Sequence, residues 1–578
     1  MWATVSQWRE DQATNLWLGL TQGLTRIPVG LISSVNLPNP NGMVILGFFL
    51  SRLPNMLMVS TFLGCLQAAI ILGICWVSFR NANRVFFVAS APLLTSMVLR
   101  GSSVEFWNQW LLTTANLMFL LWAVLYLRKP TLSKISALIG LVLFSPALYL
   151  GGLVNGMVMA GIGIAVVILM PPENWRKNYG RAIVLSLGIV GLCIWLVWLP
   201  FFQVVTVHEI LATTTQAPLV TRVWEAIEAI VRFPFWGTVL SSDRGSFAIP
   251  QSSRSILSPF AYRLVDITLF IQLTQAMIAL ALILFVVIRH LSNLKSRSAP
   301  MPSGELNARR LVFLSIAYLL ASYALSPLLG GAMWATGERR DQVVQFLPFL
   351  ILFWFLTPFA VPLPEAMRKL VITGTSLLVI IYSGTSIIGG IMVVQSHLSY
   401  RGDYLSNADV PLVQKMQAVD FIAQDWESIS TSKVIPVDYR LGGGKWDWIT
   451  EFGHKLDPWY DAPYTIGRDL DYDLLRRYGL KNVQEGVQER SFGTERYLVT
   501  YAFEPAPDLG GYHMSHHLFG RLRVTVVDFT SGQIPLIVSP TETANVLLQG
   551  VLIIRRSQPQ YKTLPSRIVE VSSLANYV

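Results

Sequence analysis

The chain predicts a polytopic α-helical membrane bundle of about ten spans, followed by a C-terminal soluble α+β domain. Three observations carry that prediction. Only 13% of the 578 residues are charged, about half the share usual in a soluble globular protein. The apolar residues gather in runs of roughly 18 or more, the length that crosses a bilayer core as helix. The last 180 or so residues return to ordinary soluble composition, long enough for one domain.

The spans read as 56–79, 85–100, 111–127, 135–150, 152–170, 182–205, 264–288, 311–332, 343–363 and 370–395. The stretch 135–170 is too long for one crossing and divides at Gly151-Gly152. Residues 1–55 precede the first run and read as an external segment with amphipathic helices. SSVNLPNPNG at 33–42 is turn chemistry. In the tail, 396–578, MQAVDFIAQDW (416–426) has a helical pattern. ERYLVTYAF (495–503), RLRVTVVDF (521–529) and, less cleanly, NVLLQGVLII (545–554) alternate as strands do.

Charge sets the orientation. Arg80 and Arg84; Arg128, Lys129 and Lys134; Arg176, Lys177 and Arg181; Arg289, Lys295, Arg297, Arg309 and Arg310; and Arg368 with Lys369 mark every second loop. Basic loops stay in the cytoplasm. Residues 1–55, 101–110, about 206–262, 333–342 and the tail are then external, in a bacterial inner membrane. The net charge of +10 is explained by these loops and does not imply nucleic acid. MWATVSQWRED lacks the basic and apolar regions of a signal peptide, so an external N-terminus means either that residues 1–55 translocate unaided or, the favoured reading, that an upstream span is missing from a truncated or misassigned start. Cys65, Cys75 and Cys193 all fall in apolar runs, which gives no disulfide framework for the exported part.

Short external loops normally avoid Arg, yet Arg339 and Arg340 occupy GERRDQ, and Arg52 and Arg100 lie at external span ends. A guanidinium matches the fork of a phosphate. The alternative for Arg339 and Arg340 is local pairing with Glu338 and Asp341. Glu10 and Asp11 lie in QWREDQATNLWLG, and Glu105 is the acid of SSVEFWNQW. Carboxylates from separate external segments can take a proton from an acceptor, or together hold a divalent cation. Otherwise Asp11 is a first-turn helix acid and Glu105 a solvated loop acid. His208 with Glu209 starts the long external loop, where it either touches substrate or is solvated. His513, His516 and His517 lack the Cys or acid of a common zinc spacing and read as a surface loop. Trp446, Trp448, Trp459, Tyr460 and Tyr464 alternate with acids, as in a sugar-stacking surface or a small-domain core. The motifs of Walker-type nucleotide binding, of Rossmann enzymes and of serine hydrolases are not found in the sequence.

QWREDQATNLWLG, followed by the turn-rich NLPNPNG, resembles the first external loop of GT-C fold glycosyltransferases, near the bacterial protein mannosyltransferase and aminoarabinose transferase group. In that group an acid pair followed by Ala comes just after the first span; here the string is Glu10-Asp11-Gln12-Ala13. Gln12 stands where many members have Glu. SAPLLTSMVLRGSSVEFW resembles the family's Pro-containing span with its loop acid. GERRDQVVQFLPFLILF resembles its late external Arg motif before a Leu-Pro span. The resemblance covers roughly 1–395 and rests on the order and sidedness of loose motifs. It implies sugar transfer from a polyprenyl-phosphate donor to a lipid, glycan or protein acceptor. Asp11 would be the base, Glu105 the second acid, and the arginines the phosphate clamp. Two other classes fit the composition. A transporter or flippase for a lipid or envelope sugar predicts charged mid-span residues and repeated halves. A non-catalytic scaffold with a glycan-binding tail predicts no dependence on Asp11.

Overall fold

The computed structural model describes residues 1–6, 15–16, 29–32, 38–106, 108–149, 152–172, 175–212, 218–227, 258–292, 303–329, 339–399, 410–429, 437–439, 496–503, 505–506 and 512–528. They fall into two compact units. One comprises Met1–Ser6 and Asn15–Leu398; the other comprises Gln7–Thr14 and Ser399–Val578.

The first unit is helical. After a 3-10 turn at Trp2–Val5 and a two-stranded ribbon of β1 (Val29–Ile32) and β2 (Pro38–Pro40) come α1 (Gly42–Leu50), α2 (Met56–Phe79), α3 (Asn83–Thr95) and α4 (Met97–Ser103). Then follow α5 (Asn108–Arg128), α6 (Leu132–Leu148), α7 (Leu153–Leu169) and α8 (Trp175–Cys193). A π-helical turn, Ile194–Trp198, continues α8 into α9 (Leu199–Val204). A short α10 (Val207–Ala212) and a helical stretch 219–227, α11, precede the long α12 (Pro259–Ser292). The unit ends with α13 (Ser303–Leu329), α14 (Arg339–Ala360) and α15 (Glu365–Ser399).

Where they are described, the predicted apolar segments are largely helical. Among the described residues, four stretches are long and apolar enough to cross a membrane: Met56–Phe79, Trp110–Arg128, Tyr179–Gln203 and Glu365–Ser399. Two expectations need correction. The segment 85–100 is not one straight element. Its helix stops at Thr95, three residues after Pro92, and Ser96 leaves helical geometry with ψ 119°. Ser96 Oγ then accepts from Leu99 N and starts α4, the side-chain capping that serine supplies. The loop expected at 101–110 is accordingly helical through Ser103, and α5 already begins at Asn108. The break near Gly151-Gly152 is present: α6 ends at Leu148 and α7 starts at Leu153.

The core centres on the C-terminal two-thirds of α14, where Phe349 to Leu356 are all almost fully buried. Such all-round burial marks a helix surrounded by others. Its neighbours include α3, α5, α12 and α13. Phe119, Tyr318 and Phe349 stack in sequence, with centroids 5.4 and 4.8 Å apart. Tyr318 Oη donates to Asn116 Oδ1 at 2.7 Å. By contrast, the span Tyr179–Gln203 is only 6% buried, so it lies at the periphery of the unit with its apolar surface outward.

Helix ends define two poles. At one, Asn307 donates to Ser78 O at 2.7 Å, Arg128 to Val77 O at 3.4 Å, and Tyr126 Oη to Met170 O at 3.0 Å. Arg368 pairs with Glu305 at 2.9 Å, and Gly304 sits so tightly on Ala82 that a Cβ would come within 2.3 Å of the alanine methyl. The helix ends bearing the basic clusters at 80–84, 128–134, 309–310 and 368–369 thus converge. At the other pole Ser6, Gly64, Val104 and Gly390 meet. Ser60 and Ser78 bracket the distance along α2, about 27 Å at 1.5 Å per residue.

Among its described residues the second unit holds a four-stranded sheet and a helix, α16 (Leu412–Ile429), packed on it. Its order is β3 (Val437–Tyr439), β4 (Tyr497–Tyr501), β6 (Leu522–Asp528), β5 (His513–Phe519), with β3 parallel to β4 and the other pairs antiparallel. Ala418, Val419 and Ile422 of α16 pack on Tyr497, Val499, Val524 and Val526. Gly520 and Arg521 make the two-residue β5–β6 turn, and Gly520 supplies its positive φ of 63°. The predicted helix and the strands at 495–503 and 521–529 are present; 545–554 and the aromatic-rich 442–473 lie outside the described residues. The histidine cluster corrects the sequence reading: it is strand β5, not a surface loop. Alternation puts His516 on the opposite face from His513 and His517. His516 Nδ1 lies 2.9 Å from Thr525 Oγ1, and the His517 ring lies 4.3 Å from that of Phe421.

Tyr497 ties the sheet to α16. Its Oη donates to Asp425 Oδ2 at 2.6 Å, a carboxylate shared with Arg496 at 3.4 Å. Burial, then the bond to Asp425, pushes the phenol above its ordinary range. The folded state holds this proton more tightly than the unfolded chain. Its contribution is complete below pH about 10, the ordinary phenol value, and is lost as pH rises through the folded value. Tyr497→Phe is expected to destabilise this unit by about 1.5–3 kcal/mol, the range for a bond to a charged acceptor. Hydrogen exchange of the β4 amides in the full chain measures it. The gap between wild type and variant should narrow well above pH 10.

Candidate functional site

Of the predicted site residues that the structure describes, Arg100 and Glu105 lie in the segment that follows α3, away from the basic loops. The 3-10 turn seats the N-terminus there. Ser6 Oγ donates to Val104 O at 3.3 Å, and Ser60 Oγ of α2 donates to Ser6 Oγ at 3.4 Å. A Cβ on Gly390 would lie 3.0 Å from the Trp2 ring, and one on Gly389 would lie 3.2 Å from Met97 Sδ. Trp2 therefore contacts α15 closely. Gly64 admits Val104 in the same way, since a Cβ there would lie 3.1 Å from Val104 Cγ1. These small residues let the segment after α4 sit flush on α2.

Glu105 follows that contact. It is 8% exposed, so it is neither a catalytic acid in open water nor the solvated loop acid of the alternative reading. A buried carboxylate requires a partner or a proton. Its flanks, Val104 and Phe106, are buried too.

Arg100 lies five residues earlier, in the last turn of α4. Its Nη2 donates to Gln67 Oε1 at 2.7 Å and its Nη1 to Gly64 O at 3.4 Å. Both acceptors are neutral, and no carboxylate among the described residues lies within salt-bridge distance. Its buried Nε finds no hydrogen-bond partner, nor does Gln67 Nε2 beside it. A guanidinium held by neutral groups, with a donor to spare, has the chemistry to meet an anion. Gln67 was not among the residues selected from sequence. The signal was present: it is the one amide side chain within the apolar run MLMVSTFLGCLQAAIILGICWVSF, and polar residues inside such runs mark sites.

The remaining predicted residues divide. Glu10 and Asp11 lie outside the described residues. The described residues on either side of them, Ser6 and Asn15, both belong to the bundle. Ser6 is at Val104, and the Asn15 carbonyl lies against Gly47 of α1. Arg339 and Arg340 are the first two residues of α14, and their side chains lie outside the described set. α14 packs against α4, the helix that carries Arg100. Arg52 does not join the cluster as a free cation. It is exposed, stacks on Phe48 with its guanidinium carbon 3.8 Å from the ring centroid, and also donates to Phe48 O. His208 is exposed in α10, consistent with the solvated alternative. Among the described residues no three His, Cys, Asp or Glu side chains form a group that could hold a metal ion. Comparisons with family models, curated proteins and solved structures yield no match to this chain.

Proposed function

We propose that the chain is a membrane glycosyltransferase of the GT-C type, moving a sugar from a polyprenyl-phosphate donor to an acceptor on the outer side of a bacterial inner membrane. The observation that carries this reading is the buried Arg100 guanidinium, satisfied by neutral groups and with Nε unpaired. On this reading the ten helical segments cross the bilayer, the basic pole faces the cytoplasm, and Arg100 lies at the outer pole where a donor's phosphate would sit. Arg339 and Arg340 add charge from the start of α14. Asp11 takes the proton of the acceptor hydroxyl or amine as the acceptor attacks the anomeric carbon. The bond from that carbon to the phosphate oxygen breaks, and the phosphate leaves with its charge stabilised by the arginines.

Glu105 is the second acid, positioned by the Ser6–Val104 contact.

The experiment uses the purified full chain in lipid nanodiscs with a panel of polyprenyl-phosphate sugars and follows release of polyprenyl phosphate. Consumption of a donor, dependent on Asp11, supports the enzyme. Binding without consumption, with movement of the intact donor between leaflets in vesicles, would instead establish a transporter. No interaction with any donor would leave the scaffold reading.

A further inference from the structure

We propose a second site at the opposite, basic pole: a pocket for the phosphate headgroup of an anionic membrane lipid. A cavity of about 310 Å³ opens between the ends of α2, α5 and α13. Arg80, Arg128 and Arg310 line it from three separate helix ends, together with Asn81 and Asn307. The lower wall is apolar, with Leu127, Leu311 and Leu314. A cationic rim above a greasy wall matches an amphiphile, one end phosphate and the other acyl chain.

The charge of this rim is not cancelled locally. The described carboxylates at this pole, Glu305 and Glu365, are engaged by Arg368 and Lys369, each at 2.9 Å. Arg128 spends one donor on Val77 O at 3.4 Å. Soluble phosphates share the headgroup chemistry, but the apolar wall favours the lipid. The site is separate from the Arg100 cluster, since Gln67 and Arg80 lie about 20 Å apart along α2.

The test compares full-chain protein in phosphatidylcholine nanodiscs with and without phosphatidylglycerol. Saturable phosphatidylglycerol binding, read by native mass spectrometry and by a rise in Tm, is expected. Arg80→Gln with Arg310→Gln should weaken it about 30-fold. Lys369→Gln, an exposed cation of the same pole outside the pocket, should leave it unchanged. Equal binding of the two lipids, or an unaltered affinity in the double variant, overturns the proposal. So does displacement of phosphatidylglycerol by inorganic phosphate, which would assign the pocket to a soluble ligand. If the double variant fails to fold, a photoactivatable phosphatidylglycerol on the wild-type protein decides. Crosslinks in 77–82, 124–128 or 304–314 support the site; crosslinks elsewhere overturn it.

Discussion

Asp11→Asn is expected to reduce sugar transfer by about 10²–10⁴-fold, the contribution of a positioned general base, with little change in donor binding. The amide keeps the size and polarity of the carboxylate and removes its basicity. The flanking anchors at Ser6 and Asn15 are untouched, so membrane insertion and Tm should match wild type. Single-turnover release of polyprenyl phosphate from a pre-bound donor separates chemistry from binding. Glu10→Gln is the internal comparison, one residue away and of equal charge change. If Glu10→Gln alone abolishes transfer, the base is the neighbouring acid. If both variants retain full rate, the catalytic reading of this segment fails.

Much of the fold was legible because membrane helices announce themselves by length and apolarity. The sequence places α6 and α7 within three residues of their observed bounds and separates them at the right glycines. The distribution of basic loops anticipates a physical convergence: helix ends bearing Arg80, Arg128, Arg310 and Arg368 gather at one pole. What hydropathy could not show is backbone geometry inside an apolar run. The stop at Ser96 depends on one residue leaving helical geometry and capping the next helix, and a window average erases it. The strand at His513–Phe519 escaped for a related reason. As an edge strand it is largely exposed on both faces, so it lacks the apolar alternation that marks half-buried strands. For the site, residue type identified Arg100 and Glu105 as unusual but not that both would be drawn inward. The segment between them meets α2 at Gly64, which Val104 approaches closely, and a glycine's purpose is visible only once its neighbour is known.

Arg100 carries the second large expectation, and three substitutions separate its two conceivable roles. It could hold the donor's phosphate, or it could simply fasten α4 to α2 through Gln67 and Gly64. Arg100→Ala should lower kcat/KM by about 10–100-fold, as loss of a charge-assisted phosphate contact worth about 1.5–3 kcal/mol requires. A fastening role predicts a loss as well, through a loosened helix, so this variant alone does not discriminate. Arg100→Met does. It keeps the length and apolar packing of the side chain while removing the charge, at the cost of about 1–3 kcal/mol for leaving Gln67 Oε1 without its donor. The bundle should therefore melt closer to the wild-type temperature than that of Arg100→Ala, while donor affinity falls as in Arg100→Ala. Arg100→Lys should fall between them, since an ammonium keeps the charge but loses the planar fork and its Nε donor. A stable Arg100→Met protein that binds and consumes donor like wild type would reduce Arg100 to a strut. Its unpaired Nε would then be a local imperfection of packing, and the phosphate would have to be held elsewhere, with Arg339 and Arg340 the next to substitute.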